Sequence, residues 1–254
     1  MRRGRIATVA GVLVLGLAAL AGAEEIEGTD EGETLNGTAQ ADQIEAGRGD
    51  DKVNGLGGDD TLSGGGDNDI VDGGEGADKV FGAGCEVGEL GRLCDNIGND
   101  TLRGGPGDDD LRANACMTNP NCQEVGYSRI STGTAMKGGP GKDRLLGAEA
   151  HDVLWGNEDA DSALGFAGKD SLIGGTGDDK LKGGAGNDRL FGQTGNDRLT
   201  GGPGRDRLSG RAGTDRIFAR DGRRDRVLCG GGRDRVTADK KDRVARSCER
   251  VSRR

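Results

Sequence analysis

One residue recurs at one interval. From Asp143, an aspartate stands every nine residues without a miss: Asp143, Asp152, Asp161, Asp170, Asp179, Asp188, Asp197, Asp206 and Asp215. Upstream, Asp42, Asp51, Asp60, Asp69 and Asp78 keep the same interval, and Asp100 and Asp109 form a third short run. Glu33 and Glu24 extend the phase backward from Asp42. Two residues after each acid comes an apolar side chain, as in Leu172, Leu181, Leu190, Leu199 and Leu208, and before each acid lies a glycine-rich stretch. A fixed short period of this kind belongs to a stack of equivalent units rather than to a globule with one closed core.

The unit itself has a physical reading. Gly174-Gly175-Thr176-Gly177-Asp178-Asp179-Lys180-Leu181-Lys182 divides into a six-residue turn and a three-residue strand. Glycine suits turns whose backbone takes positive φ. In the strand the middle residue faces one way and its neighbours the other. One apolar side chain per unit then points inward, two units make a coil of 18 residues, and successive coils stack as parallel strands about 4.8 Å apart. Composition alone would suggest disorder, with 52 glycines and only six aromatic residues in 254. The order along the chain decides otherwise.

These units resemble the nonapeptide repeat of the RTX (haemolysin-type) calcium-binding proteins, G-G-x-G-x-D-x-U-x with U apolar. The likeness runs through about sixteen units and covers most of the chain after residue 23. It implies an all-β fold, a parallel β-roll or β-solenoid with Ca²⁺ between the turns, and a metal-ligand role for the sixteen aspartates from Asp42 to Asp215 named above. It further implies that carboxylates and turn carbonyls of two stacked loops share an ion, so that Asp179 works with Asp197 and Asp188 with Asp206. One Leu per nine residues returns little against the entropy of ordering so much glycine. Stacking also brings like charges together, and a divalent cation with six to eight oxygen ligands reverses that. The expectation is a chain that folds on binding Ca²⁺. The loops ending at Asp152 and Asp161 have lost glycines and are expected to be weak sites. Leu146 with Leu164, and Trp155 with Ile173, are expected to form small outward apolar strips.

Two insertions break the phase. Cys85 and Cys94 lie in the first and Cys116 and Cys122 in the second, while Cys229 and Cys248 lie in the tail. Six cysteines in an exported chain suggest three disulfides, and pairing within each interruption is the expected choice among the fifteen connectivities. The resulting division is a leader over 1–23, a repeat block over 24–84, a loop over 85–99, a short block over 100–112, a loop over 113–137, the main block over 138–218 and an Arg-rich cap over 219–254, clamped by Cys229–Cys248. In the cap, Asp225-Arg226-Val227, Asp234-Arg235-Val236 and Asp242-Arg243-Val244 keep the motif while its spacing slips.

The first residues read as a Sec-type signal peptide. Arg2, Arg3 and Arg5 precede an apolar run from Ile6 to Leu20, and Ala21-Gly22-Ala23 offers a small-residue cleavage site. The run is short of a bilayer span, so the expected product is extracellular and not membrane-spanning. Residues 24–137 carry 25 acids and 8 bases, which argues against nucleic acid as a partner. Residues 138–254 carry 19 acids and 24 bases, with Arg recurring just after Asp at Arg189, Arg198, Arg207 and Arg216. Salt bridging to neighbouring acids and attachment to an anionic cell-surface polymer are the two readings of those arginines. No H-E-x-x-H or G-x-S-x-G motif is present, and the only histidine, His151, lies within the repeats. The sequence therefore predicts no enzyme but a calcium-binding protein with a structural or surface-interaction role. The alternative is an adhesion or ligand-binding module that contacts another protein or a polymer through its insertions and apolar strips.

Overall fold

The computed structural model describes residues 6–7, 23–83, 86–88, 91–93, 100–114 and 133–253. They fall in two units, Met1–Thr132 and Gly133–Arg254. In the second unit, Arg144–Leu146, Ser162–Gly168, Lys180–Gly186, Arg198–Thr200, Arg216–Phe218, Arg235–Ala238 and Arg250–Arg253 form one parallel sheet in that order. Ala135–Pro140, Val153–Glu158, Ser171–Thr176, Arg189–Thr194, Arg207–Ala212, Arg226–Gly231 and Arg243–Val244 form the other. The chain alternates between the sheets, so each coil contributes one strand to each. Residues stack in register, Leu172 on Leu190 on Leu208 on Val227 in one sheet and Leu181 on Leu199 on Ile217 on Val236 in the other. The first unit repeats the scheme, with Glu25–Glu27, Gln43–Glu45, Thr61–Ser63, Lys79–Ala83 and Asp110–Asn114 in one sheet and Thr34–Asn36, Lys52–Gly57, Ile70–Glu75 and Thr101–Arg103 in the other. Ile6–Ala7 pairs in parallel with Ile26–Glu27, and most of the leader lies outside the described residues.

Strand parity explains what is inside. Side chains alternate faces along a strand, so if the apolar residue two after the aspartate points inward, the aspartate and the residue four after it do so too. All three rows are buried: Asp170, Leu172 and Gly174 in one unit, Asp42, Ile44 and Ala46 in another. The third row must be small, and Gly alternates there with Ala46, Ala113, Ala219, Ala238 and Cys229. The rows between face water. The strands are longer than the three residues expected, up to seven in Ser162–Gly168 and Lys180–Gly186. The glycine backbone accounts for this, because it continues to bond to the next coil, as in Gly177 N to Thr194 O at 2.8 Å and Gly184 N to Gly201 O at 2.9 Å.

Irregular spacing is absorbed without loss of register. Across the first insertion the stacked aspartates are 31 residues apart instead of 18, yet Leu102 sits on Val71 and Leu111 on Val80. Within that insertion Glu86–Gly88 and Gly91–Leu93 pair antiparallel. In the tail the separations run 19, 19, 17 and 15, and the strands still pair. Cys229, on the strand Arg226–Gly231, and Cys248 are disulfide-bonded with a Cα–Cα distance of 5.2 Å. Cys85, Cys94, Cys116 and Cys122, and the two bridges expected of them, lie outside the described residues. Leu146 pairs with Leu164, and Trp155 with Ile173. Leu146 is buried rather than exposed, and the other three are half-buried. In-register apolar neighbours shield one another from water even on an outer row.

Candidate metal centre

The aspartate row carries the chemistry. Every aspartate from Asp42 to Asp215 named above is at most 3% exposed. In the regular coils one carboxylate oxygen is used by the fold. Asp161 N donates to Asp179 Oδ1 at 2.9 Å, Asp179 N to Asp197 Oδ1 at 3.0 Å, and Asp197 N to Asp215 Oδ1 at 2.9 Å. The same contact joins Asp42 to Asp60, Asp51 to Asp69, Asp60 to Asp78, Asp152 to Asp170, Asp170 to Asp188 and Asp188 to Asp206. It survives the first insertion, with Asp69 N on Asp100 Oδ1 and Asp78 N on Asp109 Oδ1, and Asp143 N donates to Asp161 Oδ1. The aspartates thus form two ladders of carboxylates within each unit, one beside each sheet.

The second oxygen is the informative one. Oδ2 of Asp51, Asp60, Asp69, Asp78, Asp161, Asp170, Asp179, Asp188, Asp197, Asp206 and Asp215 is buried and has no hydrogen-bond donor. An unpaired buried carboxylate oxygen is costly, and here the feature recurs at eleven aspartates. Except at Asp51, where Ala46 stands in that place, each such oxygen lies in a recess left by the glycine five residues earlier. A Cβ on Gly174 would lie 2.0 Å from Asp179 Oδ2 and 2.8 Å from the Gly192 carbonyl oxygen of the next coil. A Cβ on Gly55 would lie 2.2 Å from both Asp60 Oδ2 and Gly73 O. At these positions carboxylate and carbonyl oxygens therefore converge on space that a side chain on the glycine would fill.

Turn conformation decides which loops have this form. The residue four before the aspartate takes positive φ in the regular loops, even where it is not glycine: Leu56 at 79°, Asn157 at 86°, Phe166 at 75°, Gln193 at 80° and Arg211 at 77°. In the loops ending at Asp42 and Asp152 that residue is Thr38 or Ala148, neither with positive φ, and its backbone N–H turns inward to donate to Asp42 Oδ2 or Asp152 Oδ2. Thr29 N does the same to Glu33 Oε2. Of the two loops with depleted glycine, the one at Asp152 thus has its carboxylate satisfied, while the one at Asp161 keeps the open form.

Burial and crowding set the electrostatics. Burial pushes the carboxyls of Asp161, Asp170, Asp197 and Asp206 up to about 7 and that of Asp69 to about 8. The inter-coil N–H bond opposes the shift, and neighbouring rungs of the ladder add to it. Asp51, Asp60, Asp179 and Asp215 rise to about 6 for the same first cause.

Two members lie beyond the sequence-derived set. Asp225 and Asp234 are buried, accept the N–H of Asp206 and Asp215 at Oδ1, and leave Oδ2 without a donor. Asp242 also joins the ladder, but its Oδ2 accepts from Asp239 N. The signal for them is the D-x-U triplet, which persists in the tail after the spacing slips.

A hard divalent cation fits this donor set. Among the described residues no three acidic, His or Cys side chains converge on one point, so an ion held by the aspartates would draw on backbone oxygens as well. Calcium accepts carboxylate and backbone carbonyl oxygens together in flexible geometry, and those are the groups that line the recesses. The sequence model of the RTX calcium-binding nonapeptide repeat (4 copies) matches residues 27–62, 54–84, 95–115, 137–163, 164–199 and 191–224, more than half of the chain. Comparison with curated proteins gives no match.

Proposed function

This chain belongs to the RTX calcium-binding nonapeptide repeat family, and from that premise we propose an exported, calcium-ordered structural protein that acts by presenting its outer faces rather than by catalysis. Its repeats bind several Ca²⁺ ions. The row of buried Oδ2 atoms without donors is the observation that carries the reading. A fold that leaves so many carboxylate oxygens unpaired is incomplete on its own. When bound, calcium supplies the positive charge and the oxygen coordination that such a row requires.

The residues divide the work. Asp Oδ1 and the aspartate backbone set the coil-to-coil register. Oδ2 and the facing glycine carbonyls, as at Asp179 and Gly192, would hold the ions. Asp42 and Asp152, whose Oδ2 atoms already accept an N–H, would serve as structural rungs. Export rests on the leader-like residues 1–23, the disulfide Cys229–Cys248 and the habit of the family. Titrating the full chain with Ca²⁺ from a chelated start, with far-UV circular dichroism and calorimetry read together, tests the proposal. A cooperative gain of β-structure with several ions bound per chain is expected. A spectrum indifferent to calcium and chelator refutes it.

A second reading, an adhesion or ligand-binding module, is favoured by the outer row of one sheet. There Trp155, Ile173 and Phe191 stack in register and half-buried, with Lys137 over the Trp155 ring and Arg211 over Phe191.

A further inference from the structure

The outer row that follows the aspartates in the other sheet of the second unit is cationic and continuous. Lys180, Arg198, Arg216, Arg235 and Arg250 stand in direct register on five successive strands. All are exposed. Like charges directly opposite each other on neighbouring strands are destabilising, and the rungs are only about 4.8 Å apart. Among the described residues none of the five is in an ion pair. The aspartates beside them, Asp179, Asp197, Asp215 and Asp234, are buried and in no ion pair with the row. Arg198 lies over the Phe218 ring at 4.4 Å, a cation–π contact that helps to hold its guanidinium on the row. The row lines a groove along the stack, which Arg233 joins as a sixth cation and which Asp178, Asp179, Asp197 and Asp215 also line, so that cations outnumber acids there by six to four.

We propose that this groove binds a linear anionic polysaccharide laid along the coil axis, its acidic groups meeting successive rungs. Three features select that ligand. The cations repeat at a fixed short interval in one straight line, which suits a polymer with a charge on each short repeat. They are mostly arginine, whose planar fork meets carboxylate or sulfate oxygens in pairs. Single-stranded nucleic acid would call for aromatic platforms between the cations, and Phe218, the aromatic ring that meets the row among the described residues, is already beneath Arg198. The proposal rests on the calcium-ordered roll, because the spacing exists only when the coils are stacked.

The test uses the full chain in excess Ca²⁺, with dextran sulfate and carboxymethyl dextran as probes, neutral dextran as the blank and oligo-dT as the rival. Both anionic dextrans should bind, or one of them if the groove discriminates sulfate from carboxylate, with a log–log salt slope of about −3.5 for five neutralised charges. R198Q/R216Q/R235Q should weaken binding about tenfold or more. R189Q/R207Q/R226Q, on the opposite sheet and of equal charge change, should alter it less than about twofold. Equal losses from the two triple variants, a slope shallower than about −1, or tighter binding to oligo-dT would each overturn the proposal. The salt slope of the unaltered chain stands whether or not either variant folds. A chain that folds with calcium but ignores both dextrans overturns this inference alone; a chain whose dichroism ignores calcium overturns the calcium-ordered reading beneath it.

Discussion

Replacing Asp179 with Asn should move stability in opposite directions with and without calcium. The change is nearly isosteric, and Asn Oδ1 can still accept the N–H of Asp161, now at 2.9 Å. Its amide would replace Oδ2, with the Gly192 carbonyl close by as an acceptor. Without metal, Asp179 is a buried carboxylate pushed to about 6 from 3.8, first by desolvation. Its full equivalent would be about 3 kcal/mol; with solvent screening we expect the substitution to stabilise the metal-free roll by about 1–2 kcal/mol at pH 8. The sign follows from linkage. A folded-state acid pKa raised above the unfolded value carries a penalty that is complete above the folded pKa and gone below the unfolded one. The gain should therefore vanish by pH 4. With calcium the same change removes a charged ligand and should weaken the affected ions about tenfold. Metal-free folding can be driven with trimethylamine N-oxide in chelator and followed by circular dichroism, and calcium midpoints measured alongside. A D179N chain destabilised equally in both conditions would show that Asp179 is an ordinary hydrogen-bonding residue and would refute the reasoning.

Leu56→Gly should stabilise the calcium-bound protein by about 1 kcal/mol, because Leu56 sits at φ 79° and is 55% exposed, so strain is relieved and little packing is lost; urea denaturation reads this directly. Leu190→Ala, in the fully buried apolar row, should cost about 2–5 kcal/mol by the same assay. Removing the disulfide with C229S/C248S opens a loop of sequence separation 19 and should cost about 3 kcal/mol while leaving the number of bound ions unchanged, which thermal unfolding and calorimetry check together. In chelator, acidification from about pH 8 toward pH 4 should increase β-structure as the raised carboxyls of Asp69, Asp161, Asp170, Asp197 and Asp206 take up protons. Over that window calcium affinity should fall, since protons and ions compete for the same oxygens.

The nine-residue phase makes the parallel solenoid, its inward apolar row and its aspartate row legible before any coordinates, because each unit sees the same neighbours and must repeat the same conformation. Strand parity also places Asp on the inner face with Leu, a step that needs only alternation. The Cys229–Cys248 bridge was legible from the two cysteines sharing the tail. Tertiary structure alone decided other points. Asp225 and Asp234 belong to the ladder because coils of 19 residues bulge at their turns while the strands keep register, and spacing counted along the chain cannot see that. Which loops keep an open Oδ2 does not follow glycine content: Gln193 and Arg211 accept positive φ, whereas Thr38 and Ala148 turn an N–H onto the carboxylate. Such choices depend on the coil stacked above and below, and so does the cationic groove, whose members lie 15 to 19 residues apart in sequence and become neighbours only through parallel pairing. Local chemistry written every nine residues determined the unit and its axis; the contacts between coils, which sequence distance does not encode, decided which oxygens stay open and which charges line up.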